Sequence, residues 1–305
     1  MRQESQAFWD LSFRGALDFV SYSHMVFCNC EQKGKRNVAE QGSSGVRAVQ
    51  LAVDVLEAVA FSEDELGVTQ IAERLGVTKG SVHRHLHTLV ERGYLAQNPT
   101  TTRYYIGART RLLARLAPDA DLVQLAEGPM RTLRDELGHT VVLSEMTPRG
   151  ALVVSKINNT SPIEIGVRSG SELSFHASAQ GKVMLAYAPK PFQERVLARK
   201  LLPHTDKTIT LASRIEQDLI EIAKRGFASA PEEEMLGINA VAAPIFDSQD
   251  ACVASIAVVG SIQFLPGKPN PSDVSALIKA SQQISRRLGH GRPPHRRPPA
   301  KRNLP

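Results

Sequence analysis

Residues 68–93 read VTQIAERLGVTKGSVHRHLHTLVERG. A helix-turn-helix needs a small residue where its two helices cross, a glycine in the turn, and an apolar anchor in the second helix. Ala72, Gly76 and Val82 stand at those three places, spaced four and six residues apart. Ile71 and Leu75 complete the buried face predicted for the first helix; Val82, Leu86, Leu89 and Val90 do so for the second. Thr78 is positioned as an N-cap, its hydroxyl meeting N–H groups of the turn that follows. The opposite face of the second helix carries Lys79, Gly80, Ser81, His83, Arg84 and His87, donors suited to phosphates and base edges.

Outward from this core the pattern continues. Residues 95–106, LAQNPTTTRYYI, predict two short strands around a polar tip, the shape of a wing. Arg103 sits on it where it could enter a minor groove or meet a phosphate. Between Val68 and Arg111 the cations are Arg74, Lys79, Arg84, Arg92, Arg103, Arg109 and Arg111, against Glu73 and Glu91 alone. On the N-terminal side, Val49, Ala52, Val53, Leu56, Val59 and Ala60 predict one amphipathic helix face. Residues 1–44 show no sustained periodicity and read as a disordered arm or a mis-called start, Met25 being an internal alternative.

Beyond the wing, helices are expected at 109–116 and 122–137, the first a linker stopped by Pro118. Strands are expected at 140–146, 151–157, 163–167, 240–246 and 251–259, with helices at 178–188, 190–201, 211–225 and 272–288. This order implies an α+β domain on a mostly antiparallel sheet. The boundaries read from composition and periodicity are 45–107 for a DNA-binding domain, 108–120 for the linker helix, 121–289 for a second domain, and 290–305 for a basic, disordered tail.

The net charge of +6 is weak evidence for a polyanionic partner, because Arg292, Arg296, Arg297, Lys301 and Arg302 place most of it in that tail. No apolar run is long enough to span a bilayer and no secretory leader is apparent, so a cytoplasmic protein without membrane contact is expected. Cys28, Cys30 and Cys252 form neither a zinc set nor a disulfide framework. His83 and His87 have ligand spacing, but Arg84 stands where a metalloprotease would want Glu. No metal or cofactor is expected. Nucleophile elbows, phosphate loops and dinucleotide fingerprints are also missing, and Glu232-Glu233-Glu234 reads as a solvated loop. An enzyme is not expected. A helical hairpin in an ordinary core, or a winged helix that binds only protein, are the plainer readings of residues 68–93; the cap, the basic face and the wing together favour DNA.

These residues resemble the IclR family of bacterial transcription regulators from about Arg47 to Phe264. RAVQLAVDVLEAVA (47–60), residues 69–95 and RYYIG (103–107) are similar to its DNA-binding domain. HASAQGKVMLA (176–186), KRGF (224–227), EEEMLGINAVAAPIF (232–246) and ASIAVVG (254–260) are similar to its effector domain. The resemblance implies an N-terminal winged helix-turn-helix joined by a linker helix to a GAF/PAS-like antiparallel-sheet effector domain. It also implies a homodimer or homotetramer, a repressor or activator, with double-stranded operator DNA and a small-molecule effector as partners. DNA contacts would come from Thr78, Lys79, Ser81, His83, Arg84, His87 and Arg103. Effector contacts would come from Ala179, Gln180, Gly181, Ile238, Asn239, Ala240, Ala257 and Val259.

On its own terms, His176–Gly181 reads as a turn into a helix whose small residues allow close approach and leave N–H groups free to hold a carboxylate. The plainer reading is tight packing of helix on sheet. Departures from the family pattern point to ligand character. Ala240 replaces a common Cys, Ala257 and Val259 a common pair of serines, and Ala230 an acidic residue. Four polar positions become apolar, so a larger and more apolar effector is expected, an aromatic or acyl acid rather than glyoxylate or pyruvate. The alternative is a vestigial pocket in a regulator acting through protein contacts.

Overall fold

The computed structural model describes residues 46–62, 64–116, 122–160 and 165–291. The expectations for residues 1–44, for Cys28 and Cys30, for Pro118 and for the cations of the tail lie outside the described residues. The chain divides into two compact units, with the boundary between Gly107 and Ala108 and the short segment after α1 assigned to the second.

The first unit contains α1 (Arg47–Ala60), α2 (Val68–Leu75), α3 (Lys79–Glu91), β1 (Leu95–Gln97) and β2 (Tyr104–Ile106). Its core joins Val55, Ala58 and Val59 of α1 to Ile71, Ala72, Val82, Leu86, Leu95 and Tyr104. Gly76 ends α2 in the left-handed region (φ 65°), where a side chain would be strained, and so turns the chain into α3. Thr78 Oγ1 accepts from the Ser81 N–H at 3.3 Å, capping α3. β1 and β2 pair antiparallel, and Leu66 adds a bridge to Tyr104 that ties the strand pair to the segment before α2.

One expectation is corrected in α1. The face proposed from periodicity included Val49 and Val53, which are 60% and 44% exposed. The face that enters the core is Val55, Ala58 and Val59. The helix is apolar on two sides, and periodicity alone could not choose between them.

The second unit contains α4 (Ala108–Arg115), α5 (Leu122–Leu137), β3 (Thr140–Met146), β4 (Ala151–Ile157), β5 (Glu172–Leu173), α6 (Ala179–Tyr187), α7 (Lys190–Leu197), α8 (Ala212–Arg225), β6 (Ala228–Ser229), β7 (Ile238–Phe246), β8 (Cys252–Ser261) and α9 (Pro271–Arg287). The sheet runs β5-β4-β3-β8-β7-β6, with every pairing antiparallel. Side chains alternate across it. Val142, Ala242, Ala257 and Val259 pack beneath α6, α7 and α8. Val141, Leu143, Val241, Ala243, Ile256 and Val258 pack against α5 and α9. The unit is therefore a three-layer α/β/α sandwich, mixed in helix and sheet as the α+β reading requires.

The strand expected over 163–167 is not formed by its described residues. Ile165 and Val167 belong to an irregular segment and pack on the α6 side of the core. Alternating Ile and Val satisfied a strand pattern there although no neighbouring strand was available to pair with them. The short edge strands β5 and β6 were not anticipated. His290, assigned to a disordered tail, stacks on Phe246 with ring centroids 5.3 Å apart, so the folded body extends past α9.

Candidate functional site

In the first unit Thr78, Lys79, His83, Arg84 and His87 are exposed and Ser81 is half-buried. Arg84, flanked by Ser81, His83 and His87, faces away from Val82 and Leu86, whereas Thr78 caps α3 and Lys79, three residues before Val82, stands at its start on their side. Lys79 and Arg84 have no ion-pair partner among the described residues, so their charges are available to phosphates or bases. His83, His87 and Glu91 line one wall of a cleft of about 240 Å³, with Gln97 and Tyr104 of the wing on the other. No group of three metal-ligating side chains forms among the described residues.

The wing is built more firmly than its sequence suggested. Asn98 Oδ1 accepts from the N–H groups of Thr100 and Thr101, closing the tip, and Thr102 adopts φ 57°. Glu65, before α2, accepts from Asn98 Nδ2 on both carboxylate oxygens at 3.1 Å and from Thr101 Oγ1 at 2.9 Å. Arg103 is exposed, and its guanidinium donates to the Glu65 backbone carbonyl at 3.2 Å. Glu65 was missed because it lies 33 residues from Asn98 and no local pattern connects them.

In the second unit the positions singled out for an effector are nearly all buried, and only some come together. Ile238, Ala240, Ala257 and Val259 share the sheet face beneath α6 with Val142 and Ala242, and Ala179 packs on the same cluster. Asn239 is buried on the opposite face, as strand alternation requires. Its amide donates to the Leu265 and Pro266 carbonyls and accepts from Ser229. Asn239 therefore anchors the segment after β8 and does not join the others. Gly181 also proves to be a packing residue. A Cβ there would lie 2.3 Å from the Ser174 carbonyl oxygen, so the glycine seats α6 against residues 174–175.

α6 begins at Ser178, whose Oγ accepts from the Gly181 N–H at 2.9 Å and donates to the Ser174 carbonyl at 2.7 Å. The N–H groups of Ala179 and Gln180 have no acceptor among the described residues. Ser144 and Ser255, cross-strand neighbours on this same sheet face, have buried hydroxyls without partners. They were not foreseen, although Ser255 stands two residues before Ala257.

Next to this start lies a charged cluster that was also missed. The Lys182 side chain is 1% exposed; its ammonium donates to Glu233 at 2.6 Å and Asp218 at 3.1 Å. Burial pushes the Glu233 carboxyl upward while Lys182 pulls it down. The acidic run 232–234 is thus not simply solvated. Glu232 accepts from the Gly237 N–H and pairs with Lys207, Glu233 meets Lys182, and Glu234 accepts from Ser174 and lies 3.7 Å from His204. A surface cleft of about 390 Å³ opens beside this cluster, lined by Asp218, Glu221, Arg225 and Glu233 among others, and includes none of the sequence-selected positions. Burial pushes the Cys252 thiol up to about 12, so it is not a nucleophile at neutral pH.

Comparison with known proteins identifies the class. Residues 48–99 match the IclR helix-turn-helix domain, and residues 114–286 match the bacterial transcriptional regulator IclR C-terminal domain. The chain is 30% identical over 247 residues to the HTH-type transcriptional regulator BhcR of Paracoccus denitrificans, covering 80% of this chain and 88% of that one. It is 26% identical over 260 residues to the transcriptional repressor IclR of Escherichia coli, covering 84% and 95%. An IclR regulator structure from Alicyclobacillus acidocaldarius superposes with a TM-score of 0.64 at 26% identity, covering 80% of this chain and 98% of that one. The chain belongs to the IclR family of DNA-binding transcriptional regulators, and these relatives are regulators rather than enzymes.

Proposed function

We propose that this regulator binds a specific operator through α3 and the wing, and that a small, largely apolar organic acid held at the start of α6 alters that binding. The supporting observation is the pairing of two unsatisfied helix-start N–H groups with an apolar sheet face of Ala240, Ala242, Ala257 and Val259. Free N–H groups at a helix start favour an anion, and an apolar wall contributes about 25 cal/mol per Å² of ligand surface it covers. A solved IclR homologue of this fold from Microbacterium hydrocarbonoxydans holds 4-hydroxybenzoate. In this reading, specific contacts come from Arg84, Lys79, Ser81, His83 and His87, with Thr78 and Arg103 meeting phosphates.

The assembly proposed is a homodimer or a homotetramer working in the cytoplasm. Val46 just before α1 with Val49 and Val53 on it, and Leu112, Leu113 and Leu116 at α4, leave two apolar stripes exposed. Stripes of this kind fit self-association. No helix among the described residues is long and apolar enough to cross a membrane.

A second reading is favoured by the near-complete burial of Ala179, Ala257 and Val259: the pocket is vestigial, and control comes through protein contacts. Thermal-shift titration of the full chain with aliphatic and aromatic acids separates the two. Acid-dependent melting that Ala257→Phe removes supports the effector reading; no acid shifting the melting temperature supports the vestigial one.

A further inference from the structure

Among the buried serines and threonines of the second unit, Thr140, Ser178, Ser281 and Ser285 have partners. Thr140 accepts from the Asn159 N–H, Ser178 bonds Ser174 and Gly181, Ser281 donates to the Pro244 carbonyl, and Ser285 donates to the Ser281 carbonyl. Ser144 and Ser255 are fully buried, and among the described residues neither hydroxyl has a partner. Buried polar groups are paired in the great majority of cases, so two neighbouring hydroxyls left unmet inside a ligand-binding fold point to a ligand.

Their surroundings explain why the chain itself does not meet them. Leu143 and Ile256 pack against α5 and α9, so strand alternation turns Ser144 and Ser255 to the α6 side. The two serines are register partners across β3 and β8. The flanking positions of the same row are Val153 on β4 and Pro244 on β7, whose side chains neither donate nor accept. The next row holds Val142, Ala257 and Ala242, and the one after it Thr140, Val259 and Ala240. The first turn of α6 is tied to that far end of β7. Lys182 meets Glu233, and the adjacent Glu232 N–H donates to the Ile238 carbonyl at 2.8 Å. The serines thus stand two rows beyond the helix start, across a surface that Ala240, Ala242 and Ala257 keep shallow.

We propose that Ser144 and Ser255 hold the far end of the effector, which carries a carboxylate at one end, an apolar middle, and a neutral hydroxyl or carbonyl at the other. This rests on the effector reading above and specifies the ligand for that site. Val259 and Ser255 are separated by about 13 Å of extended strand. A hydrogen bond of about 3 Å at each end leaves about 7 Å between the ligand's polar groups, the span of a para-substituted ring. Each serine hydroxyl both donates and accepts, so the pair satisfies a hydroxyl or a carbonyl, and it brings no charge to balance a second carboxylate. An acid without the distal group leaves both hydroxyls buried and unmet, which is how a polar site rejects the analogue lacking the partner.

Calorimetric titration of the full chain with phenylacetate against 4-hydroxyphenylacetate, and hexanoate against 6-hydroxyhexanoate, tests this. The distally hydroxylated acid of each pair should bind at least about fivefold more tightly. Mandelate and 2-hydroxyhexanoate, whose hydroxyl sits beside the carboxylate, should gain nothing; an equal gain would overturn the proposal. Ser144→Ala combined with Ser255→Ala should abolish or invert the preference, and should leave the melting temperature of the unliganded chain unchanged or higher. A fall of several degrees would show that the hydroxyls are met internally and overturn the proposal. Ala257→Phe, which fills the apolar wall, tests the site itself and should abolish binding of every acid. If it does so while wild type shows no preference, or while the double alanine variant keeps the wild-type ratio, the role of the serines is refuted and the site stands. If Ala257→Phe changes nothing, or no acid binds wild type, the site reading fails and the proposal fails with it.

Discussion

In the unit ending at Gly107, the side chains proposed to meet DNA stand outside an ordinary apolar core. Lys79, His83, Arg84 and His87 are exposed, whereas Val82 and Leu86 on the same helix are fully buried. The second unit reverses this arrangement. Lys182, Glu233, Gln180, Ser144 and Ser255 are buried beneath or beside α6. A surface that reads DNA can lose a contact without losing its fold, because water replaces the missing partner. A buried pair such as Lys182 and Glu233 cannot, since removing either group leaves its partner desolvated. Substitution of Lys79, His83, Arg84 or His87 should therefore leave stability unchanged, whereas breaking the buried Lys182–Glu233 pair should cost stability.

The largest effect is expected at Lys182. Lys182→Met leaves Glu233 buried without its cation and should destabilise the second unit by about 3–5 kcal/mol, read as a large fall in its denaturant midpoint. Glu233→Gln combined with Lys182→Met should recover part of the loss. A single-variant loss below about 1 kcal/mol would show that the cluster is hydrated and the contrast between the units overstated.

Operator binding comes next. Arg84→Ala should weaken binding to a specific site by about 1–3 kcal/mol while the melting temperature stays constant. Arg103→Ala should lower affinity on all sequences and flatten the salt dependence. Glu65→Ala should mimic that wing defect at a distance, because it releases Asn98 and Thr101 together. Gel-shift titrations at several salt concentrations distinguish these outcomes, and unchanged binding by Arg84→Ala and Arg103→Ala would remove the proposed docking face.

A smaller effect concerns pH and falls on the second unit. Burial holds His139 and His176 below their ordinary value of 6.5. Each takes up its proton at a lower pH in the folded chain than in the unfolded one. Their contribution is thus complete above about pH 6.5 and declines as the pH falls below it. Glu233 and Glu234, raised by burial above 4.5, act in the opposite sense as the pH rises from there. Comparing wild type with His176→Gln isolates the histidine: the wild-type chain should lose more stability between pH 7 and 5.5, and parallel profiles would contradict the assignment. The smallest effect is expected at the wing tip. Thr102 adopts φ 57°, so Thr102→Gly should be neutral or stabilise by a few tenths of a kcal/mol by differential scanning calorimetry, against the usual cost of a glycine.

The same contrast explains what was legible in the sequence. The helix-turn-helix is specified by residues within a few positions of one another: Thr78 caps Ser81, Gly76 closes α2, and Val82 and Leu86 share a face. Local spacing reveals such features. The face expected on α1 joined Val59, which is buried, and Leu56, which packs on the core, to Val49 and Val53, which are exposed; only the tertiary partner selects which of these equally spaced positions is buried. The second unit's polar site depends on long-range pairs. Lys182 and Glu233 are 51 residues apart, and Ser144 meets Ser255 across two strands. Gly181, expected among the effector contacts, abuts Ser174, because an absent side chain signals close approach without naming the neighbour. Asn239 fell among the expected contacts by its place in a motif, although strand alternation beside Ala240 turns it to the other face.

The central claim is that ligand held at α6 changes how α3 meets DNA. Fluorescence anisotropy with labelled DNA from upstream of this chain's own gene tests it most directly, using the full chain with and without the acid that most raises its melting temperature. The account predicts that the acid changes operator affinity at least about fivefold in wild type, and that Ala257→Phe binds the operator normally but no longer responds. An acid that binds wild type tightly yet leaves its operator affinity unchanged would contradict it.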